Sequence, residues 1–258
     1  MSESLEESVV RRLRAAGCVF AEDEARLLLA EAGTAAGLDA LVARRVAGEP
    51  LEHVLGWAEF YGLRIAVTAG IFVPRRRTET LVDEAVARAR PGAVVLDLCC
   101  GSGALGVAVA TVVPGVDLHA ADVDPAAVVC ARGNVARVGG QVYEGDLFEA
   151  LPGTLRGRVD VLLANVPYVP SEAIALMPPE ARLHEARVAL DGGADGFDVA
   201  RRVVAAAPGW LAPGGSVLFE VSEDQAQGAV ATVAAAGLRA RLVTDDDRGA
   251  TVVVGTRR

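Results

Sequence analysis

The sequence predicts an α/β protein, a doubly wound and mainly parallel sheet with an antiparallel last strand, preceded by a small helical domain and a linking β-hairpin. Three observations carry that expectation. From Leu81 onward, apolar runs at 93–98, 116–121, 159–164 and 216–221 alternate with amphipathic or Ala-rich helical stretches, as strands buried on both faces do. After Gly237 the order changes to two runs, 239–243 and 251–255, joined by Asp245-Asp246-Asp247, which reads as a closing hairpin. Ahead of all these, residues 4 to 48 place Val9, Leu13, Leu27, Leu28, Leu38, Leu41 and Val42 at helical spacing, with breaks near Gly17 and Gly33.

Between the two parts, FYGLRIAVTAGIFV (60–73) holds short β-like runs separated by Thr68, Ala69 and Gly70, and Pro74 ends it. The expected organisation is a helical domain over 1–55, a hairpin linker over 56–74 and a main domain over 75–258, with a third strand just before Asp146 bringing the sheet to seven.

Composition narrows the function. The chain has 258 residues, and although 52% are hydrophobic, none of the runs reaches the roughly 18 apolar residues of a membrane span. The opening MSESLEESVVRRLRAAG lacks the basic start and apolar stretch of a secretory signal, so a cytoplasmic protein without a membrane partner is expected. Cys18, Cys99, Cys100 and Cys130 form no C-x-x-C pair, which supports neither a zinc site nor a disulfide framework, and no metal is expected. All 25 cationic side chains are arginines, which excludes Schiff-base lysines and Walker phosphate loops. A net charge of −9 weighs against a nucleic-acid partner, whose backbone is gripped by clustered cations.

The most informative stretch is AVVLDLCCGSGALGVAVA (93–110), an apolar strand running into a glycine turn and a helix. Gly101-x-Gly103-x-x-Gly106 matches a dinucleotide fingerprint, and Asp122 at the end of the next strand is placed for ribose hydroxyls. Asp97 tips the balance, because a carboxylate at the strand end suits an ammonium group rather than a pyrophosphate. S-adenosylmethionine (SAM) carries that ammonium and no phosphate. Gly101 and Gly103 would let the backbone approach its methionine part. Asp146, in EGDLF, falls where such sheets place an adenine, whereas Asp124 before Pro125 reads as a helix cap.

VDVLLA (159–164) runs straight into Asn165-Val166-Pro167-Tyr168, at the sheet edge where ligands bind. An amide nitrogen is a poor nucleophile, since its lone pair is delocalised, so a methyl-transferring enzyme must orient the planar NH2 group. The Asn165 side-chain oxygen and the Val166 carbonyl can each accept one N–H, and Tyr168 can wall the pocket. Two other readings stay open: methylation of an exocyclic amine in nucleic acid, whose NH2 has similar geometry, and a SAM- or nicotinamide-binding module without transfer.

With these residues in place the chain resembles the HemK/PrmC-type glutamine N5-methyltransferases, which modify the Gly-Gly-Gln loop of peptide chain release factors. The similarity runs through PLEHVLGWAEFYGL (50–63), FVPRRRTETLV (72–82), the 97–103 loop, Asn165 to Tyr168, ALDGGADGFDVARRV (189–203) and FEVSEDQ (219–225). It implies a Rossmann-like, seven-stranded SAM-dependent methyltransferase sheet, with SAM as methyl donor, S-adenosylhomocysteine as product and a release factor as protein partner docked by the helical domain. By resemblance, Asp97, Cys99, Cys100, Gly101, Ser102, Gly103, Asp122, Asp146, Leu147 and Asn165 line the cofactor site, and Asn165, Val166, Pro167 and Tyr168 hold the glutamine. The chain departs from the family at Val166, where the first proline of Asn-Pro-Pro-Tyr is usual, at Cys99-Cys100, and at Ala186 and Ser222. Pro167 still restricts Val166 to extended conformations.

Other features read as structural: Arg75-Arg76-Arg77 as a solvated or salt-bridged surface, His53, His119 and His184 as scattered packing residues, and Trp57, Phe60 and Tyr61 as packing at the domain junction.

Overall fold

The computed structural model describes residues 4–258. Four helices open the chain: α1 (Leu5–Ala15), α2 (Ala21–Glu31), α3 (Ala35–Val46) and the short α4 (Leu51–Leu55). Ser4 and Glu7 form a reciprocal capping box that starts α1, and Thr34 caps α3 by accepting from the Gly37 N–H at 3.0 Å. Val9, Leu13, Leu28, Leu38, Val42 and Val54 share one buried cluster. Leu27, next to Leu28 and so turned about 100° away on the helix, is 36% exposed.

The hairpin turns earlier than the sequence suggests. Its strands are β1 (Trp57–Phe60) and β2 (Leu63–Ala66), and the turn is Tyr61-Gly62, both at positive φ (54° and 70°) as a two-residue hairpin loop requires. Tyr61 is held there by its N–H to Glu79 Oε1 (3.0 Å) and its hydroxyl to Asp83 (2.7 Å). Thr68 to Gly70 lie instead in an irregular segment whose one ladder contact is a bridge between Gly70 and Glu185.

The main sheet comprises β3 (Val94–Leu98), β4 (Asp117–Asp122), β5 (Gln141–Glu144), β6 (Val159–Ala164), β7 (Leu211–Glu220), β8 (Arg239–Asp245) and β9 (Ala250–Thr256), in the order β5-β4-β3-β6-β7-β9-β8. Strands β3 to β7 are parallel, and β9 is antiparallel to both its neighbours. The antiparallel strand is thus the last in sequence, as expected, yet it lies inside the sheet while β8 forms the edge.

Alternate residues of each strand face opposite ways. Leu96, Leu98, Leu162, Ala164, Val217 and Phe219 pack under α9 (Asp198–Ala206) and α10 (Ala226–Ala235). On the other face Val95, Val161, Leu163 and Leu218 meet α5 (Glu79–Val86), α6 (Ala104–Val112) and α7 (Pro125–Val135). The chain winds one way from β3 through β4 to β5, then returns past β3 to β6, which opens a crevice at the carboxyl ends of β3, β4 and β6.

One buried ion pair ties the helices to the rest. Arg45 donates to both oxygens of Glu24 (2.7 and 3.1 Å) and to Glu180 (2.5 Å) on α8 (Pro179–His184). None of the helices among the described residues is long and apolar enough to cross a membrane.

Candidate active site

A cavity of about 350 Å³ fills the crevice. Its walls include Cys99, Cys100, Gly101, Ser102, Asp122, Asp146, Leu147 and Asn165 through Tyr168, so most of the residues singled out in the sequence converge on it. Two do not. Asp97 and Gly103 stand one layer below the wall, both buried.

Asp97, next to the end of β3, braces the loop from beneath. Its Oδ2 accepts the Gly106 N–H at 2.9 Å in the first turn of α6, and its Oδ1 is buried with no hydrogen-bond partner. Burial, with the Asp122 charge adding and the Gly106 N–H opposing, pushes its pKa up to about 7. Gly106 is required by this brace, since a Cβ there would lie 2.7 Å from Leu118 Cδ1 and 3.1 Å from Asp97 Oδ2. Gly103, at φ 77°, has a packing reason too: its Cβ would meet Val135 of α7 at 2.9 Å rather than a ligand.

Asp122 is held differently. Its two oxygens accept the Gly101 N–H (2.8 Å) and the Asp124 N–H (2.9 Å), leaving further lone pairs at the cavity wall. Burial raises its pKa, and those N–H groups oppose the shift. Asp124 caps α7 through the Ala126 N–H (2.9 Å). Burial, then the charges of nearby carboxylates, drives the Cys99 and Cys100 thiols well above their usual range, so both are neutral. Asp146 meets Arg202 of α9 at 2.7 Å, and Leu147 beside it takes φ 48°.

The loop after β6 presents an unpaired acceptor. Asn165 Oδ1 is buried without a hydrogen-bond partner, and the Val166 carbonyl accepts no bond from the described residues. The Val166 side chain is buried in the apolar core, as a proline ring at that place would be. The backbone that follows is clamped by 189–198 and by Gln225: Val169 N–H reaches Leu190 O (3.1 Å), Gly192 N–H reaches Val169 O (2.8 Å), and Gln225 Nε2 donates to the Tyr168 carbonyl (3.1 Å). Gly192 and Gly196 pass so close that a Cβ on either would strike the Pro167 or Tyr168 carbonyl.

Several site residues carried no role in the sequence reading. Arg77, in the cluster expected to be a solvated or salt-bridged surface, donates to the Tyr168 hydroxyl and to Glu220 Oε1 (2.7 Å). Arg75 pairs with Glu185 Oε1 (2.5 Å), which also accepts the Val73 N–H (3.1 Å). Burial raises the Glu185 pKa, with Arg75 and Val73 opposing. Glu220 ends the apolar run SVLFE much as Asp97 sits in VVLDL, and that shared signal was enough to find it. Two of the histidines are structural, with His53 Nε2 2.7 Å from Ile71 O and His119 stacked on Tyr143. Trp57 packs against the helical cluster and Phe60 into the sheet core.

Comparison with known proteins agrees with this geometry. The methyltransferase small domain family matches residues 69–195. The release factor glutamine methyltransferase of Geobacter sulfurreducens is 40% identical over 84% of this chain and 76% of that protein. The one from Cereibacter sphaeroides is 35% identical over 97% of this chain and 96% of its own. In fold alone, the structure is similar to a ribosomal protein L11 methylase from Lactobacillus delbrueckii, at TM-score 0.52 and 16% identity, covering 71% of this chain and 81% of that one. Sequence similarity across nearly the full length, on a doubly wound sheet with the glycine loop and the Asn165 loop facing one cavity, assigns the chain to the release factor glutamine methyltransferase family.

Proposed function

We propose that this methyltransferase transfers the methyl group of SAM to the side-chain N5 of a glutamine in the Gly-Gly-Gln loop of a peptide chain release factor. The observation that carries the reading is Asn165 Oδ1, a buried acceptor with no partner, in the same cavity as the glycine loop. An acceptor left unpaired costs roughly 1–3 kcal/mol, a cost that an incoming N–H removes.

The residues at the glycine-loop end fit SAM. The carboxylates lining it are Asp122, Asp124 and Asp146, with Asp97 behind the wall, and the one cation among the lining residues there, Arg202, is paired with Asp146. That field repels a pyrophosphate and favours a cationic ligand. Asp122 would hold ribose hydroxyls, Cys99 to Ser102 the methionine part, and Asp146 with Leu147 the adenine, while Asp97, one layer behind the wall, would act on the ammonium through its charge rather than by contact. SAM supplies an electrophilic methyl group on a sulfonium when bound. The chain's own work is to orient the nucleophile: Asn165 Oδ1 and the Val166 carbonyl accept the two N–H groups of the glutamine, exposing the face of the nitrogen, and Tyr168 shields the site. No strong base is needed, because the alkylated nitrogen is acidic and sheds its proton to water.

In this reading residues 1–55 dock the partner, 56–74 link, 75–258 catalyse, and the reaction takes place in the cytoplasm. The test is mass spectrometry of a release factor from the same organism after incubation with SAM. One added methyl on the Gly-Gly-Gln glutamine, lost with Asn165→Ala, supports the proposal; an unmodified glutamine beside intact SAM binding refutes the substrate.

A further inference from the structure

Arg77 joins three distant parts of the chain at the substrate end of the cavity. It enters from the segment ahead of α5, donates through Nε to Glu220 at the end of β7 (2.7 Å), and donates through Nη2 to the Tyr168 hydroxyl. Its guanidinium carbon also lies 5.8 Å from the Tyr168 ring centroid, so the phenol is gripped at its oxygen and over its face. Glu220 makes the grip firm. Its side chain is 3% exposed, its residue pairs with Val252 of β9, and its second oxygen has no hydrogen-bond partner. So deeply buried a carboxylate is costly to leave without a cation beside it, which ties Arg77 to one place.

The arrangement has a direction. A phenol oxygen accepts through its lone pairs and carries one proton to donate, while a guanidinium only donates. The Tyr168 proton therefore points away from Arg77, and among the described residues the hydroxyl donates no hydrogen bond. Tyr168 lines the same cavity as Asn165 and Val166. We propose that Arg77, anchored by Glu220, is a positioning residue that turns the Tyr168 hydroxyl proton into the cavity, where it donates to the carbonyl oxygen of the substrate amide. The proposal rests on the glutamine reading above. It gives the site a three-point test for a carboxamide: two acceptors for the NH2 group and one donor for the C=O. A glutamate lacks the N–H donors, and a lysine lacks the acceptor.

A double-mutant cycle tests it. One arm is Tyr168→Phe; the other replaces the pair together, Arg77→Met with Glu220→Gln, so that no unpaired carboxylate is left buried. Each arm is expected to lower kcat for a release factor about tenfold or more, to leave the KM for SAM within about twofold, and to add nothing to the other when combined. Arg77→Lys, which keeps the charge and loses the fork, recovers part of the rate. A second readout needs no substrate. The chain has three tyrosines, so the ring Cζ signal of 13C-labelled Tyr168 is assigned by its loss in Tyr168→Phe, and it is expected to shift in the Arg77→Met, Glu220→Gln protein. Additive losses in the cycle, or an unmoved Tyr168 signal, overturn the proposal. If the wild type fails to methylate any glutamine, the substrate reading fails instead, and the Tyr168 signal still decides whether Arg77 holds the phenol.

Discussion

The two ends of the cavity are built by different means. At the glycine-loop end, carboxylates at or next to the carboxyl ends of β3 and β4 are fixed by backbone N–H groups 2 to 21 residues away in the chain: Asp97 by Gly106, Asp122 by Gly101 and Asp124. At the substrate end, the fixed points are ion pairs between segments more than a hundred residues apart, Arg75 with Glu185 and Arg77 with Glu220. A backbone cradle survives the loss of most side chains around it. An ion-pair frame does not, because removing one partner strands the other. The substrate end is therefore where single substitutions should reshape the site.

The largest effect expected is on catalysis. Asn165→Ala removes one of the two amide acceptors and should lower turnover by about two orders of magnitude with SAM affinity nearly unchanged, as titration calorimetry beside a methyl-transfer assay would reveal. Loss of SAM binding would mean that the two ends are not independent. Next comes the frame itself. Glu185→Ala strands Arg75 and the buried Val73 N–H and should cost about 2 kcal/mol, read by denaturant unfolding.

Asp97→Asn sharpens the comparison through pH. Because burial lifts the Asp97 pKa to about 7, the folded, empty protein prefers the protonated acid. The stability this preference gives is complete below about pH 4 and is lost as pH rises through about 7, at up to about 1.4 kcal/mol per pH unit, and Asp97→Asn should flatten that part of the profile. A bound cation reverses the preference. SAM affinity of the wild type should therefore rise up to about pH 7, while that of Asp97→Asn stays flat and roughly tenfold weaker above it. Smallest is Arg202→Met. Its ion pair with Asp146 is half exposed, so SAM affinity should change by less than about threefold; a larger loss would make this pair part of the adenine site.

The same contrast explains what was legible in the sequence. The cofactor end is written in one contiguous stretch, Asp97 to Gly106, with Asp122 at the end of the following strand, and strand–turn–helix order gives each residue its place. The fold was legible for the same reason, since strand and helix periods are local. Arg77 and Glu220 were not joined in advance, because their meeting depends on how the linker lies across β7, a long-range outcome that no local period encodes. Gly103 carries a second reason that the motif does not show. Its motif invited a ligand explanation, and Val135 behind it supplies a packing one. The hairpin was placed around Thr68 to Gly70 because a tyrosine at positive φ breaks the residue rule for turns, and only the tethers from Glu79 and Asp83 make it tolerable.

The position of β9 has a consequence for biosynthesis. Among the described residues, strand β8 has β9 as its only strand neighbour, and β9 also flanks β7 beside Glu220. On the ribosome, β8 emerges before the strand that attaches it, and Glu220 gains its lateral support only when 250–256 arrives. A nascent chain halted at residue 245 would carry its glycine loop in full and still lack the strand that flanks Glu220, the anchor of Arg77.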